Sequence, residues 1–525
     1  MSTHQPKQAA DNTNVNHAAA PAPEENEIIK AMKGLVDEVK ASGFNPYPYS
    51  YKKDCRIEKV VEKHKDIETG TVMEDIKYSL AGRLVSWREH GKSIFGHIMD
   101  ESGKIQFYIK KGEVPDEKFQ LAKLIRVGDF LGVSGPIFKT KTGELSILVK
   151  DYELLSKIQR PLPEKWHGLT DVETRYRQRY LDLITSEESR GVFIKRSKII
   201  SHIRQYLNQK EFLEVETPVL QAIYGGASAR PFETFHNTLQ MKLYMRIAPE
   251  LYLKRLIAGG FERVYEIGRV FRNEGISIKH NPEFTMLELY MAYADYEDIM
   301  NLTEDLISET NMYVNKSETV TYNGVEISFK KPWARLSMKE AITKYASIPA
   351  EDLENADKLR DIIKKMGRED VNQHTSHGEM INILFEEKVE EHLIQPTFIK
   401  DYPIEISPLA KNKRGDEART VERFELFMYG REMANAFSEL NDPQEQYSRF
   451  KSQLEKRNRT DEDIKEMDED YITALEYAMP PTGGLGIGID RLIMLLTDSQ
   501  SIRDVILFPL QRMKEKEAEN PEAKK

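Results

Sequence analysis

At 525 residues the chain exceeds what a single hydrophobic core supports and predicts two or three domains. Apolar residues make up 40% and charged residues of both signs 31%, which excludes a globally disordered chain. Acidic residues outnumber basic ones 86 to 76, a net charge of -10, so a nucleic-acid partner must be met by local basic patches and not by a global positive field.

Residues 1–26, with Ala18-Ala19-Ala20-Pro21 and several Asn and Gln, lack the apolar run of a secretory signal and the arginines of a mitochondrial presequence. They are expected to form a disordered tail on a cytoplasmic protein. No stretch approaches the roughly 18 apolar residues of a membrane span. From Glu27 to Val39, Ile28, Ile29, Met32, Leu35, Val36 and Val39 recur at helical spacing, and Gly43 and Pro46 end the helix. This opens an N-terminal helical segment, 27–75. Cys55 is the one cysteine, which excludes an internal disulfide or a cysteine metal cluster and fits a reducing compartment. A metal would take oxygen or histidine ligands.

Between 76 and 156 the period changes. YSLAGRLVSW, SIFGHIMD, KIQFYIKK, DFLGVSGPIF and ELSILVKDYELL are short β-rich runs separated by turn residues, with a helical interruption expected at Lys118–Ile125. Five strands in this order suit the five-stranded barrel that often binds oligonucleotides. A connector, 157–190, carries Arg175, Arg177 and Arg179 around Tyr176 and Tyr180 and reads most simply as a solvated helix face. The remaining domain, 191–512, begins with a helix at Arg196–Gln209 and a strand at Phe212–Leu220. Pro218 cannot donate to a ladder and should therefore sit at an edge or interface. Strands Arg263–Phe271 and Phe284–Tyr293 flank a polar loop; a charge-rich helical insertion at about 338–400 precedes a hairpin, Val421–Leu440. A Gly-rich strand, Gly483–Ile489, enters a helix at Asp490, and a charged tail follows at 513–525. Hairpins dominate, so the large sheet is expected to be mainly antiparallel and the fold class α+β.

Three features carry chemistry. The strand Phe284–Tyr293 is apolar on both faces, so Glu288 should be buried and in need of a cationic or hydrogen-bonding partner, from the fold or from a ligand. Placing Tyr429-Gly430 at the turn of RFELFMYGREMANAFSELND sets Phe427 opposite Glu432 and brings Glu425 onto the face of Glu432. Two carboxylates without an obvious basic partner suit Mg2+ completed by substrate phosphates. A β-bulge near Met433-Ala434 would bring Asn435, Phe437 and Glu439 to the same face. GGLGIGIDR fits neither nucleotide-binding glycine motif, and its alternating glycines 484, 486 and 488 suggest a strand with one bare face that a flat ligand or helix can approach.

In this order the pieces resemble the class II aminoacyl-tRNA synthetases, and within them the lysyl-tRNA synthetases. The resemblance covers nearly everything after the tail. The helix and strand ending at Pro218 resemble the family's first motif, which forms a dimer interface; FRNEGISIKHNPEFTMLELYMAY resembles the second and GGLGIGIDRLIMLLTDSQSIRDVILFPLQR the third. The barrel followed by RPLPEKWHGLTDVETRYRQRYLDLI is similar to the subgroup with an anticodon-binding barrel before the catalytic domain, and GGASARPF and YMRIAPELYLKRL resemble the lysine enzymes.

The resemblance implies a homodimer that ligates L-lysine to tRNA(Lys) with ATP and Mg2+, without membrane or DNA partners. It makes Arg272 and Arg491 the catalytic cations, and assigns ATP to Arg272, Glu274, His280, Phe284, Glu425 and Arg491. Phe284 and Arg491 would sandwich adenine. Glu425 and Glu432 would hold metal, while Gly226, Glu250, Arg272, Glu288, Tyr290, Asn435, Phe437 and Glu439 would hold lysine, with Glu439 and the Tyr290 hydroxyl at its ε-ammonium. Ala436 is glycine in some relatives, so its methyl is expected to narrow the pocket. Arg88, Phe95 and Gln106 would read the anticodon. Aspartate or asparagine enzymes, a protein-lysylating paralogue and a non-catalytic RNA-binding paralogue are the alternatives.

Overall fold

The computed structural model describes residues 27–163, 169, 171–368, 370–415, 419–458 and 467–512. The tails expected at 1–26 and 513–525 lie outside the described residues. The chain divides into two compact units, Met1–Trp166 and His167–Lys525.

In the first unit, strands Val72–His90, Ser93–Met99, Lys104–Lys110, Leu145–Leu148 and Phe130–Lys139 pair in that order, and the last pairs back onto the first. This closes a five-stranded ring with helix Asp116–Leu121 in the expected interruption. The 19-residue first strand serves two neighbours because register shifts at Met73/Lys77 and Leu84/Ser86 bend it. The run expected as one strand at 144–155 is two. Leu145–Leu148 lies between two strands, with Ser146 opposite both Gln106 and Phe138, whereas Tyr152 and Leu154 pair with Val133 and Leu131, so at Val149-Lys150 the chain leaves the Lys104–Lys110 strand and stays on Phe130–Lys139. Helix Glu27–Ala41 and a second helix, Ile57–His64, place Val39, Ile57 and Val60 against Leu84, Ile98 and Phe107 of the barrel core.

The second unit is built on an eight-stranded sheet. Its order is Ala334–Ser337, Thr397–Pro403, Thr420–Met428, Arg431–Ser438, Thr482–Gly488, Glu283–Ala292, Arg263–Phe271, Leu213–Glu214. Both outermost pairings are parallel and the five between are antiparallel. One face of the central strands carries Leu287, Leu289, Leu426, Ala434, Leu485 and Ile487 against helices Glu187–Gln209, Tyr296–Asn315 and Ile489–Leu496. The opposite face carries the polar side chains.

Three sequence expectations change here. The helical insertion ends near His392, and Thr397–Pro403 is a strand whose successive residues Phe398 and Ile399 are both buried, in separate cores. Phe212–Leu220 is no continuous strand: Leu213–Glu214 joins the large sheet and Leu220–Gln221 a separate three-stranded one, with Pro218 exposed between them. The connector arginines do not form a solvated face. Arg179 is buried, paired with Asp182 at 2.7 Å, and donates to the carbonyls of Arg503, Ile506 and Leu507, closing the C-terminal end of the last helix. Tyr176 is buried beside it.

Candidate active site

A cavity of about 410 Å3 opens on the polar face of the sheet. Gly226, Glu250, Arg272, Glu274, His280, Phe284, Glu288, Tyr290, Glu432, Asn435, Phe437, Glu439 and Arg491 line it together, although they come from segments more than 200 residues apart. Of the residues singled out for this site, Glu425 alone is not in the lining.

One end is acidic and buried. Glu250, Glu288 and Glu439 are buried, as is Tyr290. Glu288, the central carboxylate of its strand, accepts from the Tyr290 hydroxyl at 3.2 Å. Burial, with Glu250 adding to it, pushes its pKa up to about 8. Sequence reasoning left Glu439 waiting for a ligand ammonium; the structure adds a cation of the chain's own. Lys254, wholly buried on helix Glu250–Ala258, lies 2.5 Å from Glu250 and contacts Glu439 Oε2. Its Nζ is 5.1 Å from the Phe437 ring centre and 5.8 Å from that of Tyr290. Burial alone would lower the Lys254 pKa, but Glu250 and Glu439 outweigh it and raise it. Gly226 has φ +84°, and a Cβ there would lie 2.9 Å from the Glu250 Cβ, so only glycine lets this loop close over the carboxylate.

The other end is cationic. Arg272 is half-buried, but its Nε is shielded from solvent and has no hydrogen-bond partner, and a terminal nitrogen faces the Met286 sulfur at 3.9 Å. It lies 5.1 Å from the Phe284 ring centre. Arg491, at the start of helix Ile489–Leu496, donates to the Glu432 carbonyl at 2.7 Å, approaches its carboxylate at 3.2 Å, and lies 3.4 Å from His280 Nε2. Burial, then Arg491, lowers the His280 pKa, which favours the neutral ring.

The hairpin register follows the expected one, with Phe427 opposite Glu432. Leu426 pairs with Ala434, so Met433 is the extra residue of a bulge, and Asn435 falls opposite Glu425. The carboxylates are not free of cations, however. Arg423 donates to Glu425 at 2.5 Å and to Asn435 Oδ1 at 3.0 Å, and Arg491 holds Glu432. Arg423 was not singled out from the sequence; its place two residues before Glu425, on the same strand face, was the available signal. Tyr402 also donates to Glu425 at 2.9 Å. Burial and the charge of Glu432, opposed by Arg423, leave the Glu425 pKa at about 7. Two neighbouring carboxylates, one of them buried, fit a divalent cation that also takes phosphate oxygens, and among the described residues no group of three or more acidic, His or Cys side chains offers a fuller ligand set.

Two further expectations are corrected. Ala436 alternates with Asn435 and Phe437 and is buried in the opposite core, so its methyl does not narrow the pocket. The glycine face of Thr482–Gly488 is not bare throughout: a Cβ on Gly484 would strike Glu439 and the Tyr290 ring, so this glycine makes room for the acidic end.

On the barrel, Arg88, Phe95 and Tyr108 lie opposite one another across three strands, as do Ser86, His97, Gln106 and Ser146. Phe95 is half-buried and stacks on Tyr108 with centroids 4.5 Å apart. Gln106 donates to Glu144 at 2.6 Å and accepts from Ser146, while His97 Nε2 lies 2.6 Å from the other Glu144 oxygen. Tyr108, His97 and Glu144 were missed; alternation with Gln106 and Phe95 marks the first two, while Glu144 stands in a turn without pattern.

Residues 171–512 match the family of class II tRNA synthetases (D, K and N), and 78–155 match the OB-fold nucleic acid binding domain. The chain is 52% identical over 487 residues to a lysine–tRNA ligase of Carboxydothermus hydrogenoformans, covering 93% of this chain and 98% of that one. A lysine–tRNA ligase of Pelotomaculum thermopropionicum is 52% identical over 93% of this chain and 96% of its own, and one of Oceanobacillus iheyensis 51% over 93% and 99%.

Proposed function

Since the chain belongs to the class II tRNA synthetase family (D, K and N), we propose that it ligates L-lysine to tRNA(Lys) in two steps within the cavity described above. The observation that carries the reading is a single cavity with a buried, aromatic-walled acidic end and, at the other, an arginine whose Nε is left without a partner. Lysine spans that distance with an ammonium at each acid and its carboxylate toward Arg272. Glu250 and Gly226 take the α-ammonium, Glu439 with Tyr290 the ε-ammonium, and Phe437 flanks the stem. Asn435 and Glu288 complete the walls.

ATP lies toward Phe284, His280, Glu274 and Arg491. The lysine carboxylate, already ionised, attacks the α-phosphorus, forming the mixed anhydride as the bond to pyrophosphate breaks. No general base is needed, so catalysis rests on positioning and on charge stabilisation by Arg272 and Arg491. Glu425 and Glu432 would hold Mg2+, which when bound supplies charge neutralisation to the phosphates. The tRNA 3′-terminal hydroxyl then attacks the carbonyl carbon and AMP leaves. The OB-fold face with Arg88, Phe95 and Gln106 takes the anticodon. The protein works as a cytoplasmic homodimer, a reading supported by the exposed apolar edge around Pro218 and the single free Cys55; no described helix is long and apolar enough to cross a membrane.

ATP/pyrophosphate exchange against all twenty amino acids tests the reading. Lysine is expected to drive exchange, whereas equal exchange with aspartate or asparagine would overturn it. A carboxylate or amide side chain at the acidic end would meet Glu439 without a compensating charge.

A further inference from the structure

The cation that bridges two of the pocket's acids belongs to neither ligand nor solvent. Lys254 has no exposed side-chain surface and reaches Glu250 and Glu439 from behind the cavity wall, one turn along the helix from Glu250. Glu439 is held through Oε2, so its other oxygen is left over. Oε1 is buried, has no hydrogen-bond partner, and points to the space above Gly484 and the Tyr290 ring, where the cavity runs. A buried carboxylate oxygen without a partner is costly, and its orientation here is fixed by the ion pair on the other oxygen.

Packing does not explain the choice of lysine. A methionine or leucine would fill the same volume, and a buried ion pair commonly adds nothing to stability over an apolar replacement. Without the ammonium, however, Glu250 and Glu439 would face each other across a buried space, and one of two such carboxylates takes up a proton. A protonated Glu439 donates as well as accepts, and so loses its demand for a positively charged side chain.

We infer that Lys254 is a built-in counter-cation, a positioning and specificity residue that balances the charge of Glu250 and Glu439 and holds them aimed before the amino acid arrives, and thereby sets the preference for charged over neutral side chains. This rests on the assignment of the acidic end to the lysine ε-ammonium. The groups facing Glu439 are Lys254 and Glu250 on their helix, Glu288 and Tyr290 on the central strand, and Tyr471 on helix Glu469–Glu476. Burial pushes the Glu439 pKa up and Lys254 is the largest influence against it, so removal of Lys254 moves it further up.

Lysine-dependent and norleucine-dependent ATP/pyrophosphate exchange, compared in wild type and Lys254→Met between pH 6 and 9, tests the inference. At pH 7 the variant is expected to show a KM for lysine raised by about tenfold or more, with kcat and the KM for ATP changed far less. The KM defect should shrink toward pH 9 as Glu439 ionises, and the preference for lysine over norleucine should fall. The double variant Lys254→Met with Glu439→Gln should be no worse than Glu439→Gln alone, because both act through one carboxylate. If Lys254→Met does not fold, Lys254→Gln is measured in its place under the same expectations. A pH-independent loss, an unchanged lysine KM, or unaltered discrimination against norleucine would overturn the role of Lys254. Wild type that fails to exchange with lysine would instead overturn the assignment of the pocket itself.

Discussion

At the scale of single residues, the acidic end of the cavity concentrates buried carboxylates, and Glu288 shows what that costs. Its folded pKa is about 8 against an ordinary 4.5, chiefly through burial, so the folded state holds its proton more tightly than the unfolded chain. The stability linked to this proton is therefore fully present below about pH 4.5 and is lost as pH rises through about 8. The ligand-free protein is expected to lose thermal stability between about pH 5 and 8, and Glu288→Gln, a neutral isostere, should flatten that loss. Each kcal/mol corresponds to roughly 2 to 4 °C in a domain of about 150 to 250 residues and to less in a larger unit such as this one, so a difference of a few degrees by scanning fluorimetry is expected. Parallel pH profiles for the two proteins would contradict it. Glu288 was legible in the sequence because a lone acid on an apolar strand is conspicuous. Lys254 was not: within PELYLKRL it reads as one more exposed helical lysine, and only tertiary packing places its ammonium between two acids.

Among the elements, legibility follows the range of the interactions. The hairpin 420–438 could be registered from its turn alone, and the bulge at Met433 follows from the need to keep Asn435, Phe437 and Glu432 on one face. The strand Thr397–Pro403 was lost in a charge-rich stretch because its burial comes from two different cores, which leaves no alternation to read. The barrel strands were legible as strands, but the break at Val149-Lys150, where the chain leaves the Lys104–Lys110 strand and keeps Phe130–Lys139, depends on long-range pairing. On that barrel, Phe95 is held by Tyr108 with part of its ring left open, an arrangement suited to stacking a base. Base stacking is worth about 1 to 3 kcal/mol, so Phe95→Ala should weaken tRNA charging roughly five- to more than a hundredfold while ATP/pyrophosphate exchange stays intact. Equal loss in both assays would point to a folding defect and remove the role from Phe95.

For the whole molecule, the second unit exposes more apolar surface near Pro218 than an isolated chain has use for. Leu213, Val219, Leu220 and Phe235 are each 39% to 53% exposed, on an edge strand and on the small sheet beside it. Beneath them the backbone is fixed: Arg246 is buried and pairs with Glu266, whose carboxylate also accepts from the Thr217 amide and hydroxyl. A rigid segment with an exposed apolar rim and an unpaired strand edge invites association or aggregation unless something covers it. A second copy of the same patch would cover it symmetrically, and such an isologous contact closes at two subunits. Proline at 218 keeps the edge from extending into an open-ended ladder, since it has no N–H to donate. The protein is therefore expected to sediment at twice the chain mass at micromolar concentration, and Leu220→Asp, which puts a charge in the rim without touching the cavity, should shift it toward the monomer. Sedimentation of the wild type as a monomer at that concentration would show that the rim serves another purpose.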